Sequence, residues 1–264
     1  RDIYGQALVK LGALNKNVVV LDADLSSSTR TNLFAKQFPD RFFNFGVAEQ
    51  NMMATAAGLA SCGKMVFLST FAVFASGRAW DQVRVSLSYN NFNVKIVATH
   101  AGITVGPDGA SHQALEDIAL MRVLPNMNII VPGDGPQTED AIMAAANNPG
   151  PFYVRLGRSK VPTIENKGVF KFGQAQLLSE GNDVSIVACG MMVVQAIEAV
   201  KSLAAKGIKA RLINLHTIRP IDREIILKAA RETKLIIACE EHSIFGGLAS
   251  SIDEVVAENF PVKV

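Results

Sequence analysis

The chain has 264 residues, 49% of them hydrophobic, and 26 basic residues against 24 acidic ones leave a net charge of +2. That length suits one large or two modest domains, and the mean hydropathy of +0.22 suits buried parallel strands or a large subunit interface. No basic stripe points to nucleic acid, and no apolar run nears the roughly 18 residues of a spanning helix, so no membrane segment is expected.

The opening Arg1-Asp2-Ile3-Tyr4 does not read as a signal peptide. A start at Arg rather than Met, and a stop at Val264 just as a further strand begins, lead us to expect missing residues at both ends. In chain order, Val18 to Leu21 is a short β-branched run ending in Asp22-Ala23-Asp24 and a Ser-rich loop. Met65 to Ser69, Val94 to Thr99, Asn128 to Val131 and Phe152 to Arg155 are further short apolar runs, each leading through small or polar residues into a helical stretch. This alternation predicts an α/β fold with a doubly wound, mostly parallel sheet over residues 1–157. In such sheets ligands bind beyond the carboxyl ends of the strands, near Asp24, Thr70, His100 and Pro132.

Residues 158–173, with Pro162 and Gly168, read as a linker or irregular hairpin. A second, smaller α/β domain is expected over 174–264. Its strands are Val184 to Ala188, Arg211 to Leu215 and Leu235 to Cys239, and its helices Met191 to Lys206, Asp222 to Thr233 and Leu248 to Asn259. Asp222 suits the N-cap of its helix, with Glu224 in the first turn. Cys62, Cys189 and Cys239 are far apart and lack metal-ligand spacing, so they read as buried thiols of a reducing, cytoplasmic protein.

Three segments could carry chemistry. RFFNFGVAEQNMM, Arg41 to Met53, puts Glu49 just after a short aromatic strand and a glycine, at the start of a helix running to Ala60. The helix dipole there favours an ionised carboxylate; the pattern alone favours reading Glu49 as a first-turn acid on a solvated helix. In STFAVFASGRAWDQVR, Ser69 to Arg84, Phe71 and Phe74 at helical spacing are either core or an apolar slot for a flat heterocycle. THAGITVGPDGASHQALED, Thr99 to Asp117, carries His100, Asp108 and His112 on a Gly-rich loop at a strand end. The spacing fits no metal motif, and the loop suits hydrogen bonding to a hydroxylated or phosphorylated substrate, with histidine as a proton carrier.

In order and spacing, GVAEQNM, STFAVF and the His-Asp-His loop resemble the transketolase family, as do ADLSSS around Asp24, LPNMNIIVPGD from Leu124 and RLGRSKVP around Arg158. The resemblance covers nearly the whole chain and corresponds to the pyrimidine-binding domain plus most of the C-terminal domain. It implies a half of a thiamine diphosphate enzyme that transfers a two-carbon ketol unit between sugar phosphates. Glu49 then resembles the glutamate that hydrogen-bonds N1′ of the aminopyrimidine, and Phe71 and Phe74 the aromatics packed on that ring. His100 and His112 resemble the histidines on the donor sugar's first hydroxyl and carbonyl, and Asp108 the aspartate reading a sugar hydroxyl. Arg1, Ser28 and Arg158 resemble the substrate-phosphate group, and Asp24 an aspartate near the cofactor.

The sequence departs from the pattern in two places. Gly77 stands where many single-chain transketolases carry a third aromatic, which implies a more open slot or a partner residue filling it. Ala101-Gly102 after His100 is closer to deoxyxylulose-phosphate synthase, whereas His100 itself favours transketolase. INLHTIRPID, Ile213 to Asp222, also resembles the β subunit of 2-oxoacid dehydrogenases, and a non-catalytic binding subunit is a further alternative that the intact Glu49 argues against. His216 and His242 read as structural.

Gly133-Asp134-Gly135 and Asn147-Asn148 mimic the Mg²⁺ motif of these enzymes, but they are too close together, and the Asn pair reads as a helix-ending turn. No metal ligand is therefore assigned in this chain. Mg²⁺ and the diphosphate are expected on a partner chain carrying the diphosphate-binding domain. A natural half-subunit is expected, the C-terminal chain of an α₂β₂ assembly, with a piece cut from a longer chain as the alternative; the apolar balance suits a homodimer of this chain within that assembly.

Overall fold

The computed structural model describes residues 1–165 and 168–264. Helix α1 (Asp2–Leu14) leads into β1 (Val18–Asp22), the short helices α2 (Ser26–Thr29) and α3 (Asn32–Gln37), β2 (Phe42–Asn44), α4 (Glu49–Ser61) and β3 (Met65–Phe71). Two π-helical turns, Phe74–Arg78 and Val83–Ser88, flank the single turn α5 (Trp80–Gln82) before β4 (Val94–Thr99). Then come α6 (Asp117–Arg122), β5 (Asn128–Ile130), α7 (Gly135–Asn147) and β6 (Phe152–Arg155).

The later residues form β7 (Gln176–Ser179), β8 (Val184–Ala188), α8 (Met192–Ala204), β9 (Ala210–Asn214), β10 (Thr217–Arg219), α9 (Arg223–Thr233), β11 (Ile236–Cys239) and α10 (Leu248–Asn259). The first sheet runs β10-β5-β6-β4-β3-β1-β2 and the second β11-β8-β9-β7. All pairs of the first sheet are parallel except β10 with β5.

β1, β4 and β6 are buried at every position, which is why they read as unbroken apolar runs. Side chains alternate across the sheet. Val18 and Val20 meet Tyr4, Leu8 and Leu11 of α1 and Ile142 of α7 on one face. Val19 and Leu21 meet Met52, Met53 and Ala56 of α4 on the other. Because β1 to β6 run parallel, their carboxyl ends gather Asp22, Asn44, Phe71, Thr99 and Arg155 along one edge.

The sequence pattern did not predict β10. This three-residue strand leaves the second part of the chain and pairs antiparallel with β5, so the large sheet closes on a strand from outside residues 1–157. Nor does the segment 158–173 hang free. Ile164 joins the core of the second sheet and Phe170 and Phe172 pack on that of the first; residues 166–167 lie outside the described residues. Asp222 caps α9 as expected, accepting from the Ile225 N–H at 3.3 Å, and its other oxygen takes the Ala175 N–H at 2.8 Å. His216 is fully buried beside Thr217 and stacked on Phe170, and His242 accepts from the Ala119 N–H, so both serve packing. Cys189 is buried, Cys239 half-buried and Cys62 exposed, against the expectation of three buried thiols; all three are free. Among the described residues no helix is long and apolar enough to cross a membrane.

A buried ion pair anchors the site end of the large sheet. Arg155 Nε donates to Asp117 at 2.7 Å and Nη2 at 3.0 Å, and the Tyr153 hydroxyl donates to the same carboxylate at 2.7 Å. Removing one partner strands a buried charge, so Asp117→Ala is expected to destabilise the fold by about 3–5 kcal/mol. Lys201→Ala, which breaks the exposed pair with Glu198, should cost less than about 1 kcal/mol. Chemical denaturation of both variants checks the contrast, and equal losses would contradict it.

Candidate active site

At the end of β2 the chain reverses through Gly46, whose φ of +66° a side chain disfavours. Glu49 therefore falls in the first turn of α4, pointing inward, with only 2% of its surface exposed. The reading of a solvated first-turn acid is thus wrong for this residue. Its two carboxylate oxygens each accept from Arg78 Nη1 at 3.1 Å. Arg78 is half-exposed and lies over the Phe74 ring at 4.7 Å.

Phe71 ends β3 and Phe74 opens the π-helical turn, a local widening that recurs at functional sites. Their rings lie 6.0 Å apart and nearly parallel. The pairing of β3 with β4 sets Phe71 opposite Thr99, which delivers His100 onto the Phe71 ring at 3.8 Å. His112 meets Phe71 and Phe74 edge-on at 6.2 and 5.4 Å. Two aromatics and two histidines thus form one cluster, from segments about 30 residues apart in sequence. The space over Gly77 is open.

His100 has a φ of +59°, a left-handed conformation that costs a non-glycine residue energy and persists where surrounding contacts impose it. Its Nδ1 is hydrogen-bonded to the Thr99 hydroxyl at 2.9 Å. Burial pushes its imidazole down to about 4; Arg1 and Arg158 push the same way and Asp108 opposes them. His100 is therefore neutral near pH 7.

The predicted phosphate-type residues also converge. Arg1 donates through Nε to the Arg158 carbonyl at 3.1 Å and through Nη1 to the Ser28 carbonyl at 2.9 Å. Arg158 covers Gly106, where an added Cβ would strike its guanidinium. Beside them opens a cleft of about 340 Å³ lined by Arg1, Pro136, Arg158, Lys160 and Thr163. Asp108 sits exposed on the loop above, within electrostatic reach of His100.

Asp24 is exposed and exchanges hydrogen bonds with Asn44. Its neighbour Asp22 is the residue that shapes the loop. It is buried and accepts from the Leu25 N–H and the Thr29 and Thr31 hydroxyls at 2.6, 2.7 and 2.8 Å. Burial raises its carboxyl above the usual range. Sequence reasoning missed the roles of Asp22 and Arg78. An arginine four residues after Phe74, in the same aromatic segment, was the available signal for Arg78.

Asp134 and Asn147 open and close the same 13-residue helix, α7, about 20 Å apart at 1.5 Å per residue, too far to share one ion. Asp134 instead accepts from the N–H groups of Gln137 and Ile164, both at 2.8 Å. Among the described residues no group of three acids, histidines or cysteines could hold a metal.

The family model for the transketolase pyrimidine-binding domain matches residues 1–163, and that for the transketolase C-terminal domain matches residues 173–264. A Methanocaldococcus jannaschii protein provisionally named a transketolase C-terminal section is 51% identical over 97% of this chain and 81% of its own. The 6-deoxy-6-sulfo-D-fructose transketolase subunit of a Clostridium species is 40% identical over the whole chain and 82% of its own. Human transketolase is 37% identical over 97% of the chain, which spans only 42% of that protein. Among solved structures, a split-gene transketolase described as an inactive β4 tetramer superposes with a TM-score of 0.92 at 53% identity, over 100% of this chain and 87% of its own.

The neutral state of His100 has a consequence for stability. The unfolded imidazole takes up a proton near pH 6.5 and the folded one only near 4, so the stability tied to His100 is intact above about 6.5 and lost as the pH falls towards 4. His216, held near 4 by burial, adds a loss over the same range. His100→Gln should lose less stability between these pH values than the parent chain. Denaturant midpoints measured across that window check this; parallel curves would contradict it.

Proposed function

Because this chain belongs to the transketolase family across both matched domains, we propose that it is the pyrimidine-binding subunit of a two-chain transketolase. The reaction is transfer of a two-carbon ketol unit between sugar phosphates, and a partner chain supplies the Mg²⁺ and diphosphate ligands. The observation that carries this reading is the shared edge on which buried Glu49, the Phe71–Phe74 pair, neutral His100 and the Arg1–Arg158 group meet. The boundary between the two domains falls within residues 158–173 in this reading.

The residues fit an aminopyrimidine. A buried carboxylate at a helix N-terminus is placed to accept from a proton-bearing ring nitrogen, and the parallel Phe71 and Phe74 rings offer apolar faces to a flat heterocycle. Thiamine diphosphate, when bound, supplies the electron sink for the two-carbon unit. Arg78 keeps Glu49 from being an uncompensated buried charge. Because Arg78 is half-exposed, it can leave the carboxylate to a ring nitrogen and remain solvated.

On the sugar side, neutral His100 binds a hydroxyl or carbonyl without adding charge, and His112, whose Nδ1 pairs with the Ser111 hydroxyl at 2.9 Å, faces the same aromatic pair. Asp108 accepts from a sugar hydroxyl. Arg1 and Arg158 offer forked donors that match a phosphate, and Ser28 and the cleft beside them leave room for it. Asp24, exposed at the loop, lies on the cofactor side.

A split-gene relative is described as an inactive β4 tetramer, which supports the need for a partner chain. In this reading the chain forms a homodimer within an α₂β₂ assembly in the cytoplasm. Ketol transfer is therefore expected from the complex with its N-terminal partner, given thiamine diphosphate, Mg²⁺, xylulose 5-phosphate and ribose 5-phosphate, and not from the chain alone. Transfer by the chain alone would sink the incomplete-site account. In the complex, Glu49→Gln should lower kcat about 100-fold or more with the fold intact. Arg158→Ala should raise KM for phosphorylated sugars about 10-fold or more, with a smaller change in kcat. Near-wild-type kinetics in either variant would remove that residue from the mechanism.

A further inference from the structure

Two glutamates leave β11 side by side and do different things. Glu240 caps α10, accepting from the Leu248 and Ala249 N–H groups at 2.7 and 3.0 Å. Glu241 turns the other way, across to the loop that carries Asp108. The residue is only 9% exposed, and its carboxylate accepts the Thr104 N–H at 2.6 Å.

The loop is shaped to receive it. Gly102 has a φ of +84°, and a Cβ added there would land on the carboxyl group of Glu241. The absent side chain at Gly102 is thus the seat of the carboxylate. The two feet of the loop are closed on each other by the Gly102 N–H, which donates to the Ala114 carbonyl at 3.0 Å. Arg155 Nη2 holds that same Ala114 carbonyl at 3.2 Å and the Glu241 carbonyl at 2.9 Å. Two residues beyond Glu241, the Ser243 N–H donates to the Leu115 carbonyl at 2.8 Å. The segment 241–243 therefore grips both feet of the loop; Asp108 and His112 lie between those feet and His100 stands two residues before the first.

We infer that Glu241 is a positioning residue for the sugar-binding histidines: its carboxylate, seated against Gly102 and bonded to Thr104, fixes loop 100–116 so that His100 and His112 stay together on the Phe71–Phe74 pair. The residue touches neither ring and acts through the loop backbone. A carboxylate acceptor for a part-buried backbone N–H is among the stronger local restraints, and a loop so held presents its side chains at fixed positions. The catalytic consequence rests on the proposed function; the restraint itself does not.

Two substitutions attack the contact from opposite sides. Glu241→Gln weakens the acceptor, and Gly102→Ala evicts the carboxylate. Hydrogen exchange on the chain alone should show residues 100–116 opening about 10-fold or more faster in either variant, with α10 unchanged. Glu240→Gln, the neighbouring control, should speed exchange at the start of α10 and leave the loop alone. In the complex with the N-terminal partner, both loop variants should raise KM for the ketose donor about 10-fold while the Kd of thiamine diphosphate stays the same. The double variant should be no worse than Gly102→Ala alone, because the alanine, besides straining a φ of +84°, has already removed the contact that Glu241→Gln weakens. Unchanged exchange over 100–116, additive effects, or an equal loss of cofactor affinity would each overturn the inference. Were the wild-type complex inactive, the proposed function would fall, and the exchange measurement would still decide whether Glu241 holds the loop.

Discussion

The guanidinium of Arg155 is the point to which the site is tied. It is buried at the carboxyl end of β6, where an unpaired charge would be prohibitive. Burial disfavours its charge, and Asp117 more than offsets that, so the group holds its proton more firmly than an exposed arginine. The same Asp117 takes the Tyr153 hydroxyl, and Nη2 of the guanidinium, besides donating to Asp117, reaches the Ala114 and Glu241 carbonyls. Four pieces of chain are fixed to one charge: β6, the start of α6, the end of the His loop and the segment after β11. A shift of any one would break the others' hydrogen bonds.

That rigidity lets charge be distributed deliberately along the sheet edge. Glu49 sits buried with a removable, half-exposed partner, so its carboxylate is stabilised without being sealed. His100 sits buried next to two arginines and is neutral. A neutral imidazole can donate at one nitrogen and accept at the other, whereas an imidazolium would compete with Arg1 and Arg158 for anions. Two arginines therefore lie at one end of the cluster and a buried acid at the other, with the aromatic pair between them.

The second sheet contributes more to this arrangement than its distance in sequence suggests. It returns β10 to the edge of the large sheet, packs Ile164 of the connecting segment into its own core, and sends Glu241 to the His loop. A segment that reads as a linker is held at both ends by hydrophobic contacts, so the two sheets meet through side chains that local patterns do not flag.

Composition and local order were enough to determine the alternating fold, the strands at Val94–Thr99 and Phe152–Arg155, the Asp222 cap, and the segments where Glu49, the phenylalanines and the histidines stand. Buried parallel strands must be apolar throughout, and caps and turns depend on residues within a few positions, so these features are written locally. What only the tertiary structure decided is which partners those residues meet. Glu49 proved buried because α4 turns inward after Gly46. Arg78 reached it through a π-helical turn that has no residue signature. Asp22 rather than Asp24 shaped the Ser loop, and Glu241 found Gly102 from nearly 140 residues away. Side chains that meet across such separations are selected by the packing of the whole sheet, and no spacing along the chain encodes that packing.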